Sequence, residues 1–339
     1  MNKFEEFLRT RHNVDINQLI NACEAKALDP ISILDEFFTF LTEYKLRNGK
    51  KGYSNSSITV QITVAKEFLN SQNLHIYNED LKQKFRLPKK NVVFEEGLTK
   101  ETLVRLLHNC TPKLQTAILM CISSGMRLGE LVQLKINDID FGTTPTTIKL
   151  RQETTKTRET RFTHLSIEAT KSLKDYLYKT FGEIVGASNN RYIFLRYEGD
   201  AQTAEYDRAV RTARSTFVEA LGLVVKKVPE LSMKNENGRN RIHFHAFRAW
   251  FKTQVTNTHQ SDFAEALMGH KSLKLVYYRQ NAKDRLKIYL EVEPALTISD
   301  FTRVEATIED LKAELVSVKL ELEKQRQRIE IAEKYQKNS

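Results

Sequence analysis

The sequence predicts a mainly α fold with a small antiparallel β-sheet (α+β), and three observations predict it. Apolar residues recur at helical spacing through most of the chain. The stretch 136–165 breaks that pattern, with threonine and isoleucine around a Gly142-Thr143-Thr144-Pro145 turn signal, and reads as short antiparallel strands. Residues 300–339 change again, to a narrow heptad seam. With 339 residues the chain is long enough for two or three domains, each with its own core.

Residues 1 to about 80 read as helices. Leu19, Ile20, Ile31, Leu34, Phe37, Phe38 and Leu41 fall at helical spacing, and Ser54-Asn55-Ser56-Ser57 looks like a helix start ahead of Ile58, Val60, Ile62, Ala65 and Phe68. Lys82, Lys84, Arg86, Lys89 and Lys90 then crowd five cations into nine residues around Pro88. That composition suggests an extended basic linker, either a solvated strip or a strap along a nucleic-acid backbone, where each cation meeting a phosphate releases counterions. Residues 1–90 are therefore expected to form a helical domain with a basic linker.

A second domain, 91–299, opens at Leu98-Thr99-Lys100-Glu101, with Thr99 as the N-cap of a helix to about Cys110. Pro112 to Ser123 is a strongly apolar helix. The strands follow, and from Ser166 to about Leu290 the pattern is mostly helical, interrupted by the polar loop 234–240. In 300–339, Val304, Ile308, Leu311, Leu315, Val318, Leu322, Ile329 and Ala332 alternate steps of four and three, with Gln325 as the polar interruption. This is an a/d seam flanked by charges, and it predicts a coiled coil that self-associates or takes a partner helix. An amphipathic helix folded onto its own domain is the alternative.

Hydrophobic content of 40% and charged content of 28% are ordinary for a soluble protein, whereas a net charge of +10 is not. The surplus, with a pI near 9.3, favours a polyanionic partner, most simply nucleic acid. Cys23, Cys110 and Cys121 have neither paired nor metal-like spacing, which argues against a disulfide framework and fits a reducing compartment. The first residues do not form a signal peptide, and no apolar run approaches the roughly 18 residues a membrane span needs. A cytoplasmic protein without membrane partners is expected.

Four fragments carry chemistry. Arg127 lies in Ser124-Gly125-Met126-Arg127-Leu128-Gly129-Glu130-Leu131, an arginine in an apolar turn. Guanidinium offers a planar, permanently charged fork for phosphate oxygens. Glu130, three residues on, either orients Arg127 or forms a plain surface pair with it. His245 and Arg248 sit three apart among Phe244, Phe247, Trp250 and Phe251, a spacing that puts them on one helix face as a phosphate clamp and proton shuttle. His243 beside His245 suggests a metal pair only weakly, since no carboxylate or cysteine cluster accompanies it. His270 follows Gly269, which permits a sharp turn out of a helix. Tyr277 and Tyr278 come next, in a segment with Lys271, Lys274, Arg279, Lys283, Arg285 and Lys287 against Asp284. A dense positive field favours the phenolate and makes attack on phosphorus feasible.

In this order the residues resemble the tyrosine recombinases, the phage-type integrases. The family's catalytic domain is marked by an arginine in a Gly-x-Arg-x-x-Glu-Leu box, a lysine on a β-hairpin, a His-x-x-Arg box, a Gly-His pair and a C-terminal tyrosine. Gly125 to Leu131, Lys156, His245 to Arg248, Gly269-His270 and Tyr277 or Tyr278 look like these, over about residues 95–290. Lys156 keeps the lysine's usual place in the turn, with Arg161 leading into the next strand and Lys149 and Lys174 as lesser alternatives. Two departures stand out. Ala249 follows Arg248 where many members have histidine, and the family's usual distance from the Gly-His pair to the tyrosine lands on Arg279. Tyr278 needs the smaller shortening, and Tyr278-Arg279 resembles the Tyr-Arg pair of some archaeal integrases, so Tyr278 is preferred over Tyr277.

The resemblance implies a helical core-binding domain and a catalytic domain that close on double-stranded DNA at attachment sites. It implies a mobile-element or provirus integrase that needs no metal or other cofactor and works as a tetramer of protomers on synapsed DNA. Arg127, Arg248 and His270 would hold the scissile phosphate, Lys156 would protonate the leaving 5′-oxygen, and His245 would assist proton transfer. Tyr278 would form a 3′-phosphotyrosyl link. A type IB topoisomerase-like relaxing enzyme and a non-catalytic DNA-binding protein of the same fold are the alternatives.

Overall fold

The computed structural model describes residues 2–46, 49, 51–84, 86–88, 96–182, 190–201, 203–235, 238–270 and 281–299, with Val318, Lys319 and Leu322. The chain forms two compact units, Met1–Phe94 and Glu95–Ser339.

In the first unit, α1 (Asn2–Phe7) runs into a wider π-helical turn, Leu8–His12. Three helices follow, each started by a side-chain cap: α2 (Ile16–Glu24) by Asp15, α3 (Pro30–Glu43) by Asp29 and α4 (Asn55–Ser71) by Ser54. Each cap answers backbone N–H groups that the first helical turn leaves unpaired, worth about 1 kcal/mol apiece. Ile58, Ile62, Ala65 and Leu69 of α4 line one buried stripe and pack with Phe4, Phe7, Leu34, Phe37 and Leu41.

The short helix α5 (Asn78–Lys84) differs from the extended basic strap expected there. Leu81 is buried in the unit's core, and Lys84 lies 3.9 Å from the Asp29 carboxylate and 3.5 Å from Ser32 Oγ. One apolar anchor and two acidic residues in the first turn, Glu79 and Asp80, let Lys82 and Lys84 occupy the last turn, where cations suit the helix dipole. Arg86 is exposed beyond it. Lys89 and Lys90 lie outside the described residues.

The second unit begins with α6 (Lys100–His108), capped by Thr99, and α7 (Pro112–Ser124), capped by Thr111 with proline at its first position. From Thr116 to Ser124 every residue of α7 is buried, so this helix is the axis of the unit. It ends at Gly125, whose φ of +64° closes the helix in the left-handed conformation. After α8 (Leu128–Val132), the strands β1 (Ile139–Asp140), β2 (Thr146–Leu150) and β3 (Arg161–Leu165) form an antiparallel sheet in the order β1-β2-β3. The register pairs Thr146 with Leu165 and Leu150 with Arg161. Ile148, Leu150, Thr163 and Leu165 point inward while Lys149 and Phe162 face out, the period-two pattern of a half-buried sheet, except that His164 on the outer face is covered by Tyr289.

The helix α9 (Ile167–Phe181) lies against α7 with Ala169, Leu173 and Leu177 buried. An extended stretch places Tyr192 beside Lys135, and the long α10 (Ala204–Lys227) follows, capped by Thr203. Then come α11 (Phe244–Asn257), α12 (Ser261–Met268) and α13 (Ala282–Leu296). Tyr289 of α13 is wholly buried, and its hydroxyl donates to the Ser123 carbonyl at 2.7 Å, fixing α13 to the end of α7. The backbone N–H groups of Ile298 and Ser299 donate to the Glu168 carboxylate at 2.9 and 3.1 Å. Of the heptad segment, only Val318, Lys319 and Leu322 are described, and the expected coiled coil otherwise lies outside the described residues. No helix among the described residues is long and apolar enough to cross a membrane.

Candidate active site

Three chain reversals converge where α7, α8, α11 and α12 meet β3. At the first, Gly125 turns the chain out of α7, and Arg127 becomes the N-terminal flanking residue of α8. A Cβ at Gly125 would lie 2.4 Å from Phe251 Cδ1, so this turn needs glycine for both its φ and its space. Arg127 donates its backbone N–H to Glu130 Oε2 at 2.8 Å and its Nη1 to Glu130 Oε1 at 3.0 Å. The Arg127 side chain remains 30% exposed while that of Glu130 is only 2% exposed. Of the two readings offered for this pair, the burial excludes the surface ion pair: Glu130 is an interior carboxylate that fixes the arginine.

Glu130 holds a second arginine as well. Arg161, the first residue of β3, donates Nη1 to Oε1 at 3.0 Å and Nη2 to Oε2 at 2.6 Å, and its Nε reaches the Leu267 carbonyl at 2.9 Å. Burial works against ionisation of Glu130, but the bonds and charge of Arg161, with those of Arg127, hold its carboxyl below the usual range.

Arg248, one turn into α11, is buried. Its Nη1 donates to the Gly125 carbonyl and its Nη2 to the Met268 carbonyl at 2.6 Å, so one guanidinium joins the ends of α7 and α12. Burial first, and then the charges of Arg127 and Arg161, push its pKa down to about 10. It still carries its charge at neutral pH. A buried cation bonded to neutral carbonyls and crowded by like charges is poised for an anion.

At the second reversal, Gly269 ends α12 with φ +67°, and a Cβ there would lie 2.9 Å from Arg161 Cδ. The turn delivers His270, whose backbone N–H donates to the Glu265 carbonyl at 3.1 Å. Its Nδ1 is paired with Glu265 Oε2, and the other oxygen of Glu265 is paired with Lys252 Nζ. Fixing Nδ1 leaves Nε2 as the ring nitrogen available to a ligand. Against the opposing effect of burial, the bonds from Lys252 and His270 keep the Glu265 carboxyl below its ordinary range.

The third reversal is the β2–β3 connection. Lys156 is exposed at its turn, next to the buried Thr155. The lesser lysines sit elsewhere: Lys149 is exposed on β2, and Lys174 of α9 lies over the Phe141 ring at 5.5 Å. His245 occupies the first turn of α11 and is exposed, whereas Arg248 is buried, so the two partners of the His-x-x-Arg box differ in access. The His243 and His245 rings approach edge to face, centroids 6.3 Å apart, and no group of three metal-ligating side chains occurs among the described residues. Tyr277 and Tyr278 lie outside the described residues.

The structure thus brings Arg127, Arg248 and His270 into one network and adds Glu130, Arg161, Glu265 and Lys252. Glu130 alone of these four was read from spacing. Arg161 was named as the residue leading into its strand, whereas Glu265 and Lys252 were not singled out, because their partners are set by tertiary contact. In chemical terms the network presents guanidinium and imidazole donors, held by carboxylates behind them, a donor set suited to an anion.

The model of the phage integrase family matches residues 96–285. No curated protein matches the chain. Among solved structures, the Tn1549 transposon integrase in complex with a circular intermediate DNA is 18% identical and aligns over 86% of this chain and 98% of its own, with a TM-score of 0.52. The same integrase with transposon right end DNA is 19% identical over the same shares, with a TM-score of 0.50. A lambda integrase dimer bound to a core site is 19% identical over 83% of this chain and 94% of its own, with a TM-score of 0.42. Because the family's pattern spans more than half of the sequence and includes every site fragment described above, the chain belongs to the phage integrase family, the tyrosine recombinases.

Proposed function

We propose that the protein is a site-specific recombinase that cleaves and rejoins double-stranded DNA at attachment sites through a 3′-phosphotyrosyl intermediate, integrating or excising a mobile element. The observation that carries this reading is the joining of Arg127, Arg248 and His270 through Gly125, Met268 and Glu265. Two guanidiniums and an imidazole presented together suit the oxygens of one phosphodiester and the charge of its pentavalent transition state. Tyr278, with Tyr277 as the alternative, attacks phosphorus. Lys156 gives the leaving 5′-oxygen its proton, and His245 assists proton transfer. The ester bond to tyrosine conserves bond energy, so the strand exchange is reversible. The site needs no resident metal or cofactor.

In this reading residues 1–90 form the core-binding domain, with Lys82, Lys84, Arg86, Lys89 and Lys90 as phosphate contacts, and residues 91–299 form the catalytic domain. Four protomers act on two synapsed duplexes, by the family resemblance, and the 300–339 seam assists self-association. The mobile-element role is favoured by the structural likeness to a transposon integrase, and the reaction takes place on DNA in the cytoplasm of the host cell.

The test is a covalent adduct. Incubation with a nicked duplex bearing the attachment site is expected to trap protein on the 3′ end, and Tyr278→Phe to abolish the trap. Failure of the parent protein to form an adduct refutes the enzyme and leaves a DNA-binding protein of the same fold. Loss with Tyr277→Phe alone moves the nucleophile by one residue. Relaxation of supercoils without joining of two sites identifies a topoisomerase-like enzyme.

A further inference from the structure

The loop that carries Lys156 is anchored at both ends by arginine–carboxylate clamps, and both clamps reach back to the short stretch that follows Arg127. At its start, Arg151 donates Nε to Asp138, 3.0 Å from Oδ1 and 3.1 Å from Oδ2, and Nη2 to the Gln133 carbonyl at 2.6 Å. At its end, Arg161 forks onto Glu130 and reaches the Leu267 carbonyl. Asp138 and Glu130 are both buried, as are most of the two arginine side chains. Between the clamps the loop is tied to itself. Thr155 is buried, and its Oγ1 accepts the Glu159 N–H at 3.1 Å while its hydroxyl lies within 3.1 Å of the Gln152 carbonyl. Lys156 is the exposed residue that follows this root.

Surface loops of this length are not usually secured by two buried ion pairs, because removing charges from water is costly. Here Arg161 grips Glu130 with two nitrogens, and Arg151 spreads its guanidinium over Asp138, the Gln133 carbonyl and Glu153 of the loop itself, 3.0 Å from Nη1. Gln133 and Asp138 lie just beyond Glu130, which fixes Arg127. The lysine loop and the phosphate-binding arginine are therefore indexed to one stretch of backbone, residues 127–138.

We infer that Arg151 and Arg161 are positioning residues that hold the Lys156 loop at the distance from the scissile phosphate that its proton transfer requires. The inference rests on the proposed role of Lys156. As the phosphorus–O5′ bond breaks, its electron pair moves to O5′, which takes a proton from the Lys156 ammonium, leaving a 5′-hydroxyl and a neutral amine. A displacement of about 1 Å in such a donor can cost on the order of 10²-fold in rate. Arg→Lys at either clamp keeps the charge and removes the fork.

The measurement is the rate of adduct formation on two nicked duplexes that differ in one atom. One carries the ordinary scissile phosphate, and in the other sulfur replaces the bridging 5′-oxygen. A thiolate leaves without a proton, so the second substrate bypasses the acid. On ordinary DNA, Lys156→Ala, Arg151→Lys and Asp138→Asn are expected to lose roughly 10–10²-fold. On the sulfur substrate all three should return close to the parent rate, while Arg127→Ala should not. Arg161→Lys should recover in part, because Glu130 also orients Arg127. Recovery of Lys156→Ala without recovery of Arg151→Lys and Asp138→Asn would overturn the clamp inference and leave Lys156 as the acid. Failure of Lys156→Ala itself to recover would overturn the reading of Lys156. Parent-like rates for both Arg151→Lys and Asp138→Asn on ordinary DNA would also overturn the inference.

Discussion

The two halves of the active site are built differently. The half proposed to bind phosphate, Arg248 with Glu130 and Arg161 around Arg127, is interior: Arg248 and Glu130 are each 2% exposed, and their partners are backbone carbonyls and buried charges. The half proposed to transfer protons, Lys156 and His245, is exposed. The difference follows from what each must do. Groups that stabilise charge are worth most when fixed and withdrawn from water, because nothing then has to reorganise as the charge develops. Groups that exchange protons need access to solvent and to the moving atom. The arrangement therefore separates a rigid frame from an accessible rim, with the Arg151 and Arg161 clamps as the joints between them.

Substitutions in the frame should separate it from the rim most sharply. Arg127→Ala is expected to reduce adduct formation by about 10²–10³-fold. Its effect on DNA affinity should be small, since many other cations meet the backbone. An equal fall in binding, measured by gel shift at fixed salt, would make Arg127 a structural residue. Gly125→Ala should be the largest purely structural lesion. An alanine at φ +64° costs about 1–2 kcal/mol, and its methyl would overlap the Phe251 ring. Urea unfolding should register this as a lower midpoint, with activity reduced because Arg127 and Arg248 both hang on that turn.

A smaller, pH-dependent effect belongs to His164 of β3, which is buried and accepts or donates a bond with Thr147 at 3.2 Å. Burial, and then the charge of Arg285, push its pKa down to about 4. The unfolded chain binds a proton there at higher pH than the folded one, so the stabilising contribution of the neutral ring is complete above about 6.5 and is lost as the pH falls toward about 4. His164→Gln should flatten that part of the stability profile, as thermal melts across the range would show. An unchanged profile would mean that the strand does not sense the proton. The least effect on cleavage by a single protomer is expected from truncation after Ser299, which should lower self-association measured by light scattering. Unchanged oligomer size would remove the heptad seam from the assembly.

Much of this site was legible in the sequence, and the illegible part has a common cause. Local rules sufficed for Thr99 and Ser54 as caps, for the turn at Gly125, for the exit of His270 after Gly269, and for the strands around Gly142-Thr143-Thr144-Pro145. Spacing also offered Glu130 as a partner of Arg127, since three residues on a helix start bring them together. What spacing cannot express is a contact between distant elements, and Arg161 of β3 makes two of them, to Glu130 of α8 and to Leu267 of α12. The helix through Lys84 was missed for a related reason. The charge run looked like an extended strap until Leu81 found a core and Asp29 a place beside Lys84. His245 and Arg248 satisfied the expected spacing, yet packing gave them opposite access to solvent.

The single carboxylate at Glu130 has a consequence for selectivity between states of the reaction. Arg127, Arg161 and Arg248 carry three positive charges, and Glu130 cancels one of them. Under the proposed mechanism a phosphodiester would bring one negative charge into this field, and the pentavalent species formed on attack would bring two. In the proposed reaction this site would be over-charged for its substrate and matched to the transition state, so the same carboxylate that holds the arginines in place would also keep them from binding intact DNA too well.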